Sequence, residues 1–398
     1  MASGGQDLAT SISARASSFI DRARHSGMAK NALFYTVNIL SQIGLQLGYF
    51  ILISRAFGPS GYGVFATATA VAMLAAVFVG WGSERVLIQR VAVAPSSFRA
   101  QFGNGLIQIA LTAAPLSIVA FVVLSMLNID PLTWRGITLI VLAECIFRKL
   151  TTLALSSFFA HDMAVRHLVL NIAANAIRFG AALLAILYAD PLTLDVWAVW
   201  YFAGGVLTAG SALLMACAYL GTPQMRFDKS DLNLGFLYSL ELASVSGLKD
   251  LDKPVIVQTL GPAAAGLYAA AFRIIEAAAA PLRGILYSAY TRYFRHAETS
   301  VNEGIGFGFR VLGVVGGLAV AVAGALYICA GFLPILLGED YRETVDLVRI
   351  LAIYPILIGA LGVGADIMRA IGLQQLRVIL LTVSFLSVIP VTWAGAAY

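Results

Sequence analysis

Charged side chains lie deep inside stretches that are otherwise apolar enough to cross a bilayer. Between residues 234 and 290, one apolar segment carries Glu241, Lys249, Asp250, Asp252 and Lys253, and the next carries Arg273, Glu276 and Arg283. Residues three or four apart share a helix face. Arg273, Glu276 and Arg283 therefore fall on one stripe with Tyr287 and Tyr290, while Glu241, Lys249, Asp252 and Lys253 form a broad wet face on the preceding helix. Glu144 and Arg148 make an i,i+4 pair with Lys149 beside them, and Asn171, Asn175 and Arg178 are spaced by four and three. An uncharged polar stripe runs through Asn31, Tyr35, Asn38, Gln42, Gln46 and Tyr49. Interior cations suit an anionic ligand, and interior carboxylates suit ion pairing or a coupling ion.

The cost of misplacing these groups decides where they point. One Arg, Lys or Asp at the centre of a lipid-facing helix costs about 2.5–3.5 kcal/mol. Six or more facing lipid would cost about 15–20 kcal/mol. Snorkelling of Arg283, Lys253 and Arg310, and local pairs such as Arg273/Glu276 and Glu144/Arg148, reduce that sum. The simplest arrangement is a water-filled cavity lined by the first, seventh and eighth spans. For each cluster a plainer role stands beside this one. The stripe of Asn38, Gln42, Gln46 and Tyr49 reads as interhelical glue or as a cavity wall. Glu144 and Arg148 read as a structural ion pair or as part of a site. Asp252 and Glu241 read as protonatable coupling groups or as partners of Lys249 or Lys253.

The elements that must position these residues follow from composition. The chain has 398 residues, is 60% hydrophobic and 12% charged, and has a mean hydropathy of +0.85. That is too little polar surface for a water-soluble protein of this length, so an all-α polytopic membrane protein is expected. Its net charge of +5 reflects basic inner loops and not a nucleic-acid partner. Cys145, Cys217 and Cys329 sit singly in apolar spans as packing residues. No Walker-type loop, CxxC or HExxH occurs, and the outer loops leave no room for an extramembrane catalytic domain. An enzyme is not expected, nor a metal or cofactor.

About eleven spans follow from apolar length and Gly/Pro punctuation: 31–57, 62–82, 103–127, 136–159, 168–189, 196–220, 234–260, 264–290, 304–332, 346–371 and 378–397. The domain reading is a cytoplasmic tail over 1–30, a bundle over 31–221, a cytoplasmic linker over 222–233 and a second bundle over 234–398. With the N-terminus inside, Arg90, Arg99, Arg226, Lys229, Arg369 and Arg377 collect on the cytoplasmic side, against Arg55, Arg135 and Arg342 outside. FGPSGYGVFATATA (57–70) repeats as LGPAAAGLYAAAFR (260–273), each at the outer turn after the first span of its half. Two parallel six-helix bundles follow, related by an axis along the membrane normal, with a site between them. The second half supplies five spans, which reads as a truncation or a missing twelfth helix.

The stretches SRAFGPSGYGVFATATA, GWGSERVLIQRVA and the run from DKPVIVQTLGP to YTRYFR resemble oligosaccharide (Wzx-type) flippases of the polysaccharide transporter family. GADIMRAIGLQQLRVILL and the closing WAGAAY resemble that family's penultimate two spans. The wider superfamily of multidrug, oligosaccharidyl-lipid and polysaccharide (MOP) exporters shares the V-shaped two-bundle fold seen in MATE exporters. The resemblance implies flipping of polyprenyl-pyrophosphate-linked sugar units across a bacterial inner membrane by alternating access. It also implies a cationic cavity, here matched by Arg273, Lys249, Lys253, Arg148 and Arg178, and a coupling ion, H+ or Na+, at residues such as Asp252, Glu276, Glu241 or Glu144. Partners would be the bilayer, the glycan-lipid, and glycosyltransferases and a polymerase of the same pathway. The alternatives are a cation-coupled multidrug exporter and an integral-membrane enzyme acting on polyprenyl-linked sugars.

Overall fold

The computed structural model describes residues 27–127 and 129–396, which are helical apart from short connections. Of the tail expected over 1–30, only 27–30 belong to the described residues, where they open the first helix. In chain order the helices are α1 (Gly27–Phe78), α2 (Ser83–Val93), α3 (Phe98–Met126), α4 (Trp134–Leu142), α5 (Lys149–Ala160), α6 (Ala164–Tyr188) and α7 (Leu194–Leu220) in the first half. The second half has α8 (Leu232–Asp250), α9 (Asp252–Leu260), α10 (Pro262–Ala278), α11 (Ala280–Thr299), α12 (Val301–Cys329), α13 (Leu333–Leu337), α14 (Thr344–Leu351), α15 (Tyr354–Ala370) and α16 (Gln374–Ala396). A π-helical turn, Ala143–Arg148, joins α4 to α5.

Among the described residues, six helices are long and apolar enough to cross a membrane, or eight if each of two bent pairs counts as one span. That is fewer than the eleven expected, and the difference lies in three places. α1 holds two expected spans separated at Gly58, and α4–α5 and α8–α9 are interrupted and carry interior charges. The chain is an all-α polytopic membrane protein.

The repeat is a structural one. Gly58 kinks α1 with φ 63 and ψ −178, and Gly261 separates α9 from α10 with φ 89 and ψ 170. Both are in a conformation that side chains rarely adopt. Each is followed by a proline in the first turn of the next helix, where the missing N–H costs nothing. The two copies then cross each other with backbones in contact. A Cβ on Gly63 would lie 1.9 Å from the Pro262 carbonyl oxygen, and one on Gly266 would lie 1.8 Å from that of Pro59. The small residues aligned by the repeat are thus the contact surface between the halves.

The apolar core continues across this end of the molecule, joining Phe50, Ile53 and Phe65 to Ile256, Ala265, Ala269, Leu337 and Tyr341. Two polar links reinforce it: the Arg55 guanidinium donates to the Ile335 carbonyl, and the Tyr341 hydroxyl donates to that of Ser54 at 3.1 Å. At the opposite end the halves also touch, where the Ser239 hydroxyl donates to the Val77 carbonyl at 3.0 Å and Phe236 packs on Trp81.

Candidate functional site

A cavity of about 400 Å³ lies between these two contacts, walled by both halves. All five cations expected there line it: Arg148 and Arg178 from the first half, and Lys249, Lys253 and Arg273 from the second. Arg283 joins them, giving six cations against two lining carboxylates, Asp250 and Glu276. Helix breaks bring the second-half groups to this depth. α8 gives way to α9 at Leu251, with Pro254 in the first turn beyond it, and α10 bends by 44° into α11 at Ala279, with Pro281 next. Each break frees last-turn carbonyls, and a cation takes one at each. Lys253 Nζ donates to the Lys249 carbonyl at 3.1 Å, and the Arg283 guanidinium donates to the Glu276 carbonyl at 2.7 Å.

Ion pairs sort the cations. Lys249 Nζ lies 2.9 Å from Glu276 Oε1, across from α8 to α10, and Lys253 is held by Asp250. The Arg148 guanidinium contacts both Glu144 oxygens, at 2.9 and 3.2 Å, and the Tyr201 hydroxyl donates to the same carboxylate. The π-helical turn contains both Glu144 and Arg148, so the acid is buried behind the wall while the base faces the cavity. Among the described residues no carboxylate lies within ion-pair distance of Arg178 or Arg273. A second, smaller cavity of about 160 Å³ adjoins the first through Met73, Arg148, Ser246 and Asp250 and ends at Glu84 and Lys149. That pair is buried, with Nζ 2.7 Å from Oε1.

Several expectations change. The cavity is not confined to the first, seventh and eighth spans: Tyr62, Phe65 and Met73 of the second arm of α1, Arg148, Asn175 and Tyr201 also line it. Arg273 and Glu276 do not pair, because Glu276 reaches across to Lys249 and leaves Arg273 exposed. Glu241 and Asp252 do not pair with Lys249 or Lys253, whose carboxylate partners are Glu276 and Asp250. Glu241 meets Arg377 of α16 at 3.3 Å, and Asp252 accepts from the Tyr268 hydroxyl and, at 2.8 Å, from the Lys253 backbone N–H. Neither lines the cavity, nor does Glu144. Arg377, expected in an inner loop, is buried.

The polar stripe divides. Gln42 accepts from Asn171 at 3.3 Å and Gln46 donates to Asn175 at 3.4 Å, tying α1 to α6 as interhelical glue. Gln46 and Tyr49 also line the cavity, Gln42 does not, and the Asn38 side chain lies outside the described residues. Sequence reasoning missed the aromatic and apolar wall, which has no charge to announce it.

Residues 28–291, two-thirds of the chain and everything from the start of α1 to the end of the charged hairpin, match the family described as polysaccharide biosynthesis protein. The chain belongs to that family. No curated protein sequence matches it. The fold of this family member is shared with solved MOP-superfamily transporters. An inward-facing multidrug resistance MATE family transporter superposes with a TM-score of 0.64 at 13% identity, covering 89% of this chain and 94% of that one. The MATE multidrug transporter DinF-BH, solved as a complex, gives 0.60 at 17%, covering 88% and 85%. A MOP superfamily transporter from Pyrococcus furiosus, whose reverse binding-pocket polarity suggests a different function, gives 0.60 at 12%, covering 92% and 95%.

Proposed function

We propose that this polysaccharide-biosynthesis family member flips polyprenyl-pyrophosphate-linked oligosaccharide units from the inner to the outer leaflet of a bacterial inner membrane. One observation carries the reading: a cavity between two pseudo-symmetric halves draws cations from both of them, six against two lining carboxylates. A doubly charged pyrophosphate placed there bridges the halves through charge-assisted hydrogen bonds. Its volume of about 400 Å³ suits the phosphates and the first sugar, with the prenyl tail left to the bilayer.

Alternating access then follows from the two end contacts. With the N-terminus cytoplasmic, the Gly63/Gly266 crossing is the outer seal and the Val77–Ser239 contact is the inner one. Opening outward separates the Gly63/Gly266 crossing and keeps the Val77–Ser239 contact, and opening inward does the reverse. A cation-coupled multidrug exporter is the weaker reading, because it calls for unpaired acids in an aromatic pocket and both lining carboxylates here hold lysines. Replacing Arg273 or Lys249 by Ala is expected to abolish export of surface polysaccharide while the protein remains in the membrane. Normal export by both variants would overturn the site.

A further inference from the structure

We propose that Asp250 and Glu276 are resident counter-ions that hold Lys253 and Lys249 until an anionic headgroup displaces them. This rests on reading the cavity as an anion site. The six cavity cations differ in their partners. Arg178 and Arg273 are available, with no carboxylate at ion-pair distance among the described residues. Lys249 and Lys253 are occupied by acids that themselves line the cavity. Arg148 differs again, because its acid, Glu144, is buried behind the wall and cannot compete for the same space.

The exposures decide which pairs can exchange. The side chains of Lys249 and Glu276 are 32% and 20% exposed, and those of Lys253 and Asp250 are 9% and 33%, so in both pairs the acid reaches solvent. Pairs with a solvated partner are weak and are replaced at little cost, unlike the Glu84–Lys149 pair, exposed by only 7% on each side. Lys253 keeps its place when its acid leaves: its Nζ also bonds the Lys249 carbonyl and lies 5.6 Å from the Phe272 ring centroid. A group with two or more charges, caught first by the free arginines, outcompetes single carboxylates for the adjacent lysines. A group with fewer charges competes less well. The acids thus select for charge number and, by re-forming their pairs, drive the headgroup out again.

The test uses the purified full-length chain in detergent, titrated calorimetrically with farnesyl diphosphate, farnesyl monophosphate and farnesol. The native protein is expected to prefer the diphosphate. Glu276→Gln and Asp250→Asn are each expected to bind it about two- to fivefold more tightly, the worth of an ion pair at this exposure, with a smaller diphosphate-to-monophosphate ratio. Glu276→Asp, which keeps the charge, is expected to lie nearer the native protein than Glu276→Gln does, and melting temperatures report folding. A sign reversal, with both neutral variants binding the diphosphate equally or more weakly, overturns the counter-ion role and leaves the anion site standing. If the native protein binds diphosphate no better than farnesol, the anion site falls and the counter-ions with it.

Discussion

Arg178 and Arg273 reach the cavity from opposite halves with no carboxylate at ion-pair distance among the described residues, so they are residues at which function and stability separate cleanly. Arg178→Gln and Arg273→Gln each remove one charge-assisted contact, worth about 1.5–3 kcal/mol, so headgroup binding is expected to weaken at least tenfold with an unchanged melting temperature. Binding titrations beside thermal unfolding check both halves of that statement. The Glu84–Lys149 pair behaves in the opposite way. Lys149→Ala leaves a buried carboxylate unpaired and is expected to cost about 3–5 kcal/mol, read as a lowered melting temperature, while Glu84→Gln with Lys149→Met together recover most of it. Five of the six cavity cations were legible in the sequence because a charge inside an apolar span has few places to go. Their partners were not. Spacing along one helix identifies a face, but Glu276 chose Lys249 over Arg273, and Glu241 chose Arg377, because neighbouring helices set those distances. Glu84 and Lys149 lie 65 residues apart, beyond anything local spacing encodes.

At the scale of elements, the Gly-Pro turns were the clearest signal, since a glycine before a proline reads the same way in both copies and both adopt a positive φ. The reciprocal contact of Gly63 with Gly266 makes their size a mechanical requirement. Gly63→Val is expected to wedge the crossing apart, costing about 1–3 kcal/mol of the sealed state and holding the protein open at that end. Cysteines introduced at Ala66 and Ala269 report it: crosslinking of the cysteine pair is expected to fall when Gly63→Val is combined with them, and undiminished crosslinking would count against the gate. The breaks at Leu251 and Ala279 were less legible. Pro254 and Pro281 mark each of them, but a proline within a long apolar run does not say whether the helix bends or merely starts again.

For the whole molecule, the two-bundle reading and the internal repeat lead to one arrangement: halves that meet at both ends and part around a charged cavity. Membrane class was readable from composition alone, whereas the widening of the cavity to Tyr62, Phe65 and Met73 required the packing of α1 against α7 and α10. Orientation remains tied to the basic loops, and a reporter fused after residue 230 is expected to be cytoplasmic. The most direct measurement places the purified chain in liposomes with a fluorescent polyprenyl-pyrophosphate-linked oligosaccharide and follows its appearance in the opposite leaflet. Transfer that depends on the protein and is lost in Arg273→Gln is the expected result. No transfer by the native protein, or transfer that Arg273→Gln and Lys249→Gln leave unchanged, would contradict a flippase acting through this cavity.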